Sequence, residues 1–229
     1  MKSIILLLKI YGSRDRAVHS FESVIANDIK DIEASAQIHV TNDGWVQIDI
    51  TGEDDEFCAN YLLTKYGAPV KEAEIGQVYK GYIHSINEDG IIVDIGIKVN
   101  ITLDGLKPLG IGDVKQIASR FGIIPHLPVS IEIVKVDNDT KVCFTKEQVD
   151  LWWKWKKSST DRVIANATTR SELKAAVKKT GHSQDIYGIE RIGIMEHAIV
   201  CREKTDAPGI VAHIGPLLKS ELGVIIKHA

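Results

Sequence analysis

The chain has 229 residues, 44% of them hydrophobic, enough to bury real cores and to form two or three small domains rather than one. No run of 18 apolar residues occurs, which argues against a membrane-spanning helix. The net charge of −3 is unevenly spread: −5 over residues 1–70 (6 basic, 11 acidic), −2 over 71–145 (8 and 10) and +4 over 146–229 (14 and 10). If the protein touches phosphate, its last third is the expected surface, although +4 falls well short of the balance of a dedicated nucleic-acid binder.

Residues 1–70 read as an α+β domain in the order βαββα. The opening IILLL (4–8) gives way to Lys9 and a polar 12–16 segment, so it reads as a buried strand over 3–10 and not as a signal peptide. A helix is expected over 15–32, where Val18, Phe21, Ile25 and Ile29 recur at spacings of three and four. Asn42-Asp43-Gly44 between two alternating runs signals a hairpin joining strands 35–40 and 45–51. A second helix over 54–66 opens on the acidic run 53–56, which suits the positive end of the helix dipole better than it suits a metal, and stops at Gly67 before Pro69.

Residues 71–145 carry a different grammar. In GQVYKGYIHSINEDGIIVDIG (76–96) a strand, a glycine turn and a second, almost wholly apolar strand follow one another. LPVSIEIVKVD (127–137) alternates Val129, Ile131, Ile133 and Val136 with polar partners, and KVCFT (141–145) answers it across a turn at Asp137-Asn138-Asp139. Short glycine-punctuated strands of this kind build a small closed barrel.

The run Gly81, Ile83, Ile86, Gly90, Val93, Asp94, Gly96, followed by Gly105-Leu106, Phe121-Gly122 and the Pro128-Val129 strand, resembles the S-one-type RNA-binding module. That resemblance implies a five-stranded OB-type β-barrel over 71–145 with RNA as its partner. Such modules carry two aromatic residues around the central turn and a histidine after the later Gly-Leu pair, and those positions here hold Asp89, Ile92 and Pro108. Base stacking on an aromatic side chain contributes about 1–3 kcal/mol per base, so the resemblance supports the barrel better than its usual activity. On the first strand Lys80, Tyr82 and His84 alternate onto one face and remain to meet a nucleotide. The chain as a whole resembles the archaeal family called domain of unknown function 2110.

Residues 146–161 form a helical linker in which three of the four tryptophans, Trp152, Trp153 and Trp155, interleave with Lys154, Lys156 and Lys157. An aromatic-basic patch of this composition stacks bases and holds phosphates; the plain alternative is a helix wedged between domains with its lysines reaching out to water. Residues 162–229 then read as β-α-β-β-α-β, a ferredoxin-like α+β domain. Strands are expected over 162–165, 186–194, 198–202 and 224–227. The first helix opens on the capping box Thr169-Arg170-Ser171-Glu172 and ends before Gly181, and the second runs over 208–218 behind Asp206. Arg170, Lys174 and Lys178 recur every fourth residue on the first of these helices, either as a solvated face or as a phosphate-reading ridge that Arg191, Arg202 and Lys204 extend.

No phosphate loop, zinc-protease helix or nucleophile elbow occurs. Cys58, Cys143 and Cys201 lie far apart, which points to buried free thiols in a reducing compartment, and His197 with Cys201 is only half of a metal site. His126 and Asp94 are the only candidates for catalysis. The expectation is therefore a non-catalytic, cytoplasmic RNA-binding or ribosome-associated protein without cofactor or metal. It is α+β, with a central OB-type barrel between two small ferredoxin-like domains. The alternative is an interaction scaffold, with a protein partner or a second copy bound to a barrel that has lost its RNA platform.

Overall fold

In the computed structural model, which describes residues 1–136 and 139–227, the chain forms three antiparallel sheets with helices packed on them. It divides into two compact units, Met1–Lys71 with Ile95–Ile97, and Glu72–Asp94 with Lys98–Ala229.

In the first unit, β1 (Lys2–Lys9) is followed by α1 (Arg14–Asp28), β2 (Ala34–Val40), β3 (Trp45–Gly52) and α2 (Asp55–Tyr66), and the strand order is β1-β3-β2. The middle strand is buried at Trp45, Val46, Ile48 and Ile50, as a strand paired on both sides requires. Gly44 takes φ +84° in the expected turn. There the Gly44 amide donates to Thr41 O at 3.0 Å, a conformation that strains residues bearing a Cβ. The α1 row turned to the sheet is Ala17, Phe21 and Ile25, with Val18 only half buried. The helix stops at Asp28, four residues short of the expected end. Ile29 leaves helical geometry, Asp28 is held by Lys65 at 2.6 Å and Tyr66 at 2.5 Å, and the Ile32 amide closes a turn on Ile29 O.

The second unit opens with β4 (Val78–Ile86), β5 (Ile91–Asp94) and β6 (Lys98–Ile101). A 3-10 helix (Leu103–Leu109) and α3 (Val114–Arg120) precede β7 (Pro128–Val136) and β8 (Asp139–Phe144). These five strands make one sheet in the order β6-β5-β4-β7-β8, curled so that the end strands β6 and β8 come together without pairing. Of the expected turn, Asp137 and Asn138 lie outside the described residues. The 3-10 helix and α3 are not among the elements expected from the sequence. Asp113 caps α3 by accepting from the Gln116 amide at 2.8 Å, while the Gln116 side chain accepts from the Asp113 amide at 3.0 Å. Buried Val114, Ile117 and Phe121 show why the segment is helical: its apolar residues fall three and four apart.

The last part of this unit comprises α4 (Lys146–Lys156), β9 (Arg162–Ala165), α5 (Arg170–Lys179), β10 (Ile186–Arg191), β11 (His197–Cys201), α6 (Ala207–Ile214) and β12 (Leu222–Ile225). The strands pair in the order β10-β11-β9-β12, every neighbour antiparallel. Leu173, Ala176 and Val177 of α5 and Ala207, Ile210 and Ile214 of α6 share one core with Val163, Ala165, Ile199 and Cys201. α6 ends earlier than 218 because the chain tightens into a 3-10 turn at Gly215–Leu217, around Pro216. This part meets the turn after α3 at two glycines. A Cβ on Gly223 would lie 2.7 Å from Gly122 O, and one on Gly122 would lie 3.0 Å from Ile225, so the backbones touch where only hydrogen fits.

Candidate nucleic-acid interface

Three places carry the residues singled out in the sequence, and they have different fates. On β4, Lys80 and His84 are exposed, but Tyr82 between them is only 7% exposed. It sits mid-sheet, opposite Asp94 on β5 and Pro128 on β7, and Asp94 is itself buried at 5%. The expected row of three is thus broken in its middle. A strand paired on both sides and covered over this stretch leaves no ring for a base to stack on. Asp89 is exposed, Ile92 half-buried and Pro108 exposed.

The tryptophan helix α4 binds its own protein. Trp152 is buried with its ring 4.8 Å from Phe144, edge to face. Trp153 packs edge-on to Phe121 at 5.0 Å, and its indole N–H donates to Pro108 O at 3.0 Å. Trp155 lies under the Arg162 guanidinium, 5.5 Å from the ring centroid. Lys156 donates to Ile226 O at 2.7 Å, and Lys157 lies over Trp153. Of the three lysines interleaved with the tryptophans, Lys154 and Lys157 stay exposed. Trp153 therefore docks α4 onto the 3-10 helix and is not a free stacking surface.

The third place gathers charge around a cavity. The Thr169 capping box forms, with the Thr169 amide donating to Glu172 Oε2 at 2.9 Å and the Glu172 amide to Thr169 Oγ1 at 3.2 Å, and it starts α5 with Arg170 as its first residue. From there Arg170, Lys174 and Lys178 rise in one row, about 6 Å of helix axis apart. All three are exposed, and none makes an ion pair among the described residues. They form one wall of a groove of about 500 Å³ whose other wall is β10 at Ile186, Tyr187, Gly188 and Ile189.

β10 is the free edge of its sheet, and its register against β11 slips between Ile186 and Gly188. A slip of this kind re-aims side chains. Tyr187 stands 55% exposed. Arg202 lies over its ring at 5.0 Å, and its hydroxyl donates to Glu203 at 2.7 Å. That bond raises the Tyr187 phenol and lowers the Glu203 carboxyl. Tyr187 is not among the residues expected from the sequence because its signal is a broken alternation: in Ile186-Tyr187-Gly188-Ile189 the glycine is where the slip occurs.

Beneath the N-terminus of α5 lies His197, fully buried, neither ring nitrogen of which makes a hydrogen bond of normal geometry. Burial first, then the charges of Arg191 and Arg170, push its pKa down to about 4, with the backbone of Thr168 acting the other way. Cys201 shares the helix-side core, and burial raises its thiol to about 11. Among the described residues no group of three or more His, Cys, Asp or Glu stands close enough to hold a metal ion. No helix among them is long and apolar enough to cross a membrane.

The molecule is thus an α+β protein of three antiparallel sheets, one of them five-stranded and curled, with a cationic groove on the last. The chain belongs to the DUF2110 family. The family's N-terminal domain matches residues 3–72, its central domain 73–156 and its C-terminal domain 160–226, and the three-part layout of the sheets fits these three parts. No curated protein matches the sequence.

Proposed function

We propose that this is a non-catalytic RNA-binding protein that holds the sugar-phosphate backbone along the α5/β10 groove. The observation that carries this reading is the row Arg170, Lys174 and Lys178, unpaired and exposed, facing the exposed ring of Tyr187 across one cavity. Three cations at even steps follow a phosphodiester chain, and an aromatic face opposite them accepts a base. We read the central sheet as an OB-type barrel of the S-one kind. Its order, with the first strand between the second and the fourth and the end strands in contact, supports that. We read the last sheet, whose second, third, first and fourth strands lie side by side, as ferredoxin-like, and the first as the same arrangement short of one strand. In this reading the barrel is a rigid carrier that adds Lys80 and His84 at most.

The test is a titration of single-stranded and hairpin RNA at two salt concentrations, followed by anisotropy. Replacing Arg170, Lys174 and Lys178 together by glutamine is expected to flatten the slope of log K against log salt by about 2, at about 0.7 for each phosphate no longer neutralised. No salt-dependent binding by the unmodified protein at micromolar concentration overturns the reading. The scaffold alternative draws on Ile111, which is 93% exposed, and Val78, at 59%. It predicts a protein partner that stays bound after nuclease treatment, where the RNA reading predicts loss.

A further inference from the structure

A second cavity, of about 470 Å³, opens where α3 and the loop after it face the free edge of β12. Arg120 and Lys156 both line it. Each is fixed by carbonyls and not by carboxylates: Arg120 Nη2 donates to Ile111 O at 2.7 Å and Nη1 reaches Leu109 O at 3.5 Å, while Lys156 Nζ donates to Ile226 O at 2.7 Å. Neither makes an ion pair among the described residues. Burial, then repulsion from Arg120, lowers the Lys156 ammonium, and Asp161 only partly opposes this. The Asp161 carboxylate also accepts the Lys227 amide at 2.8 Å. Two like charges held beside one cavity and offset only in part by Asp161 cost stability unless an anion joins them.

The backbone adds to the case. The Asn166 amide donates to Glu221 O, so along the β9/β12 ladder the alternate residues Leu222, Val224 and Ile226 turn their backbone groups to the free edge. Ile226 O does meet Lys156 there. The amide of Val224 is thereby offered to the same cavity, where Ser119 supplies a hydroxyl. A guanidinium, an ammonium, an outward amide and a hydroxyl make a donor set for a tetrahedral oxyanion.

We infer that the α3/β12 cleft is a phosphate-binding site, taking either free phosphate or one phosphate of a nucleic-acid strand. Occupancy bridges α3 to the last sheet, since Arg120 belongs to one and β12 to the other. The inference does not rest on the α5 groove binding RNA.

The experiment is an amide-resolved NMR titration of the full chain with inorganic phosphate at constant ionic strength. Chloride serves as the control, and a second arm uses a short oligoribonucleotide. Saturable shifts of Gly122, Ile123 and Val224 with phosphate are expected, and Arg120→Gln or Lys156→Gln should each weaken them roughly tenfold or more. Lys156→Arg should retain binding, which separates loss of charge from a misfolded variant. Glutamines at Arg170, Lys174 and Lys178 should leave the phosphate shifts unchanged even if RNA affinity falls. If only the oligonucleotide shifts these amides, and the cleft variants reduce that effect, a strand phosphate is the occupant. If neither probe shifts them beyond chloride, or if Arg120→Gln and Lys156→Gln respond as the unmodified protein does, the site does not exist.

Discussion

Helices α4 and α5 have similar compositions of cation and apolar residue, and they use them in opposite ways. In α4 the rings of Trp152 and Trp153 are packed against Phe144 and Phe121, and Lys156 is tied to a backbone carbonyl, so what looks like a nucleic-acid patch is a dock. In α5 the buried face is the modest trio Leu173, Ala176 and Val177, and the cations stand clear along a groove. An aromatic residue three or four positions from apolar neighbours on a helix gains more from burial than from waiting for a base. Cations that make no ion pair among the described residues have no such competing use.

The sharpest way to break this comparison is Trp152→Ala. If α4 is a dock, the variant should lose about 3–5 kcal/mol in denaturant unfolding, and an unchanged midpoint would remove the distinction. Next comes His197, under the start of α5. Its pKa is held near 4, below the value of about 6.5 in the unfolded chain, so the unfolded state binds the extra proton first. Stability from this group is complete above pH 6.5, falls as the pH drops toward 4, and levels off below. The loss is at most about 3 kcal/mol. His197→Leu should flatten that part of the stability profile, and an unaltered profile would show that the ring does not titrate in this window.

Tyr187→Ala sharpens the other side. It should weaken RNA binding by about 1–3 kcal/mol while leaving the unfolding midpoint nearly in place. A large stability loss with unaltered RNA binding would make α5 and β10 a structural pair. Smallest is Trp153→Phe, which keeps an aromatic ring but removes the hydrogen bond to Pro108 O. About 1 kcal/mol of stability should go, with RNA affinity unaffected. A loss of affinity would return Trp153 to the binding surface.

Where local chemistry dictates local structure, the residues are readable in advance. The Thr169 capping box, the Asn42-Asp43-Gly44 turn and the strand at 162–165 all stand where their residues say. The end of α1 is not, because Ile29 and Ile32 continue a helical spacing that Asp28 breaks through its partners on α2. α3 is hidden by the glycines before it, although Asp113 and Gln116 spell a capping box with Asp in place of Ser or Thr. The site is half legible. The row on α5 follows from period four alone, whereas Tyr82's burial and Tyr187's exposure depend on which strands flank them, and pairing order is a property of the whole sheet.

The meeting of Gly122 with Gly223 has a bearing on how the last two parts of the chain hold together. A methyl group on Gly223 would meet the Gly122 backbone at 2.7 Å and push β12 away from the turn after α3, so the seat of the terminal sheet depends on a side chain that is not there. The family's boundary between residues 156 and 160 marks a change of architecture, yet it falls inside one compact unit.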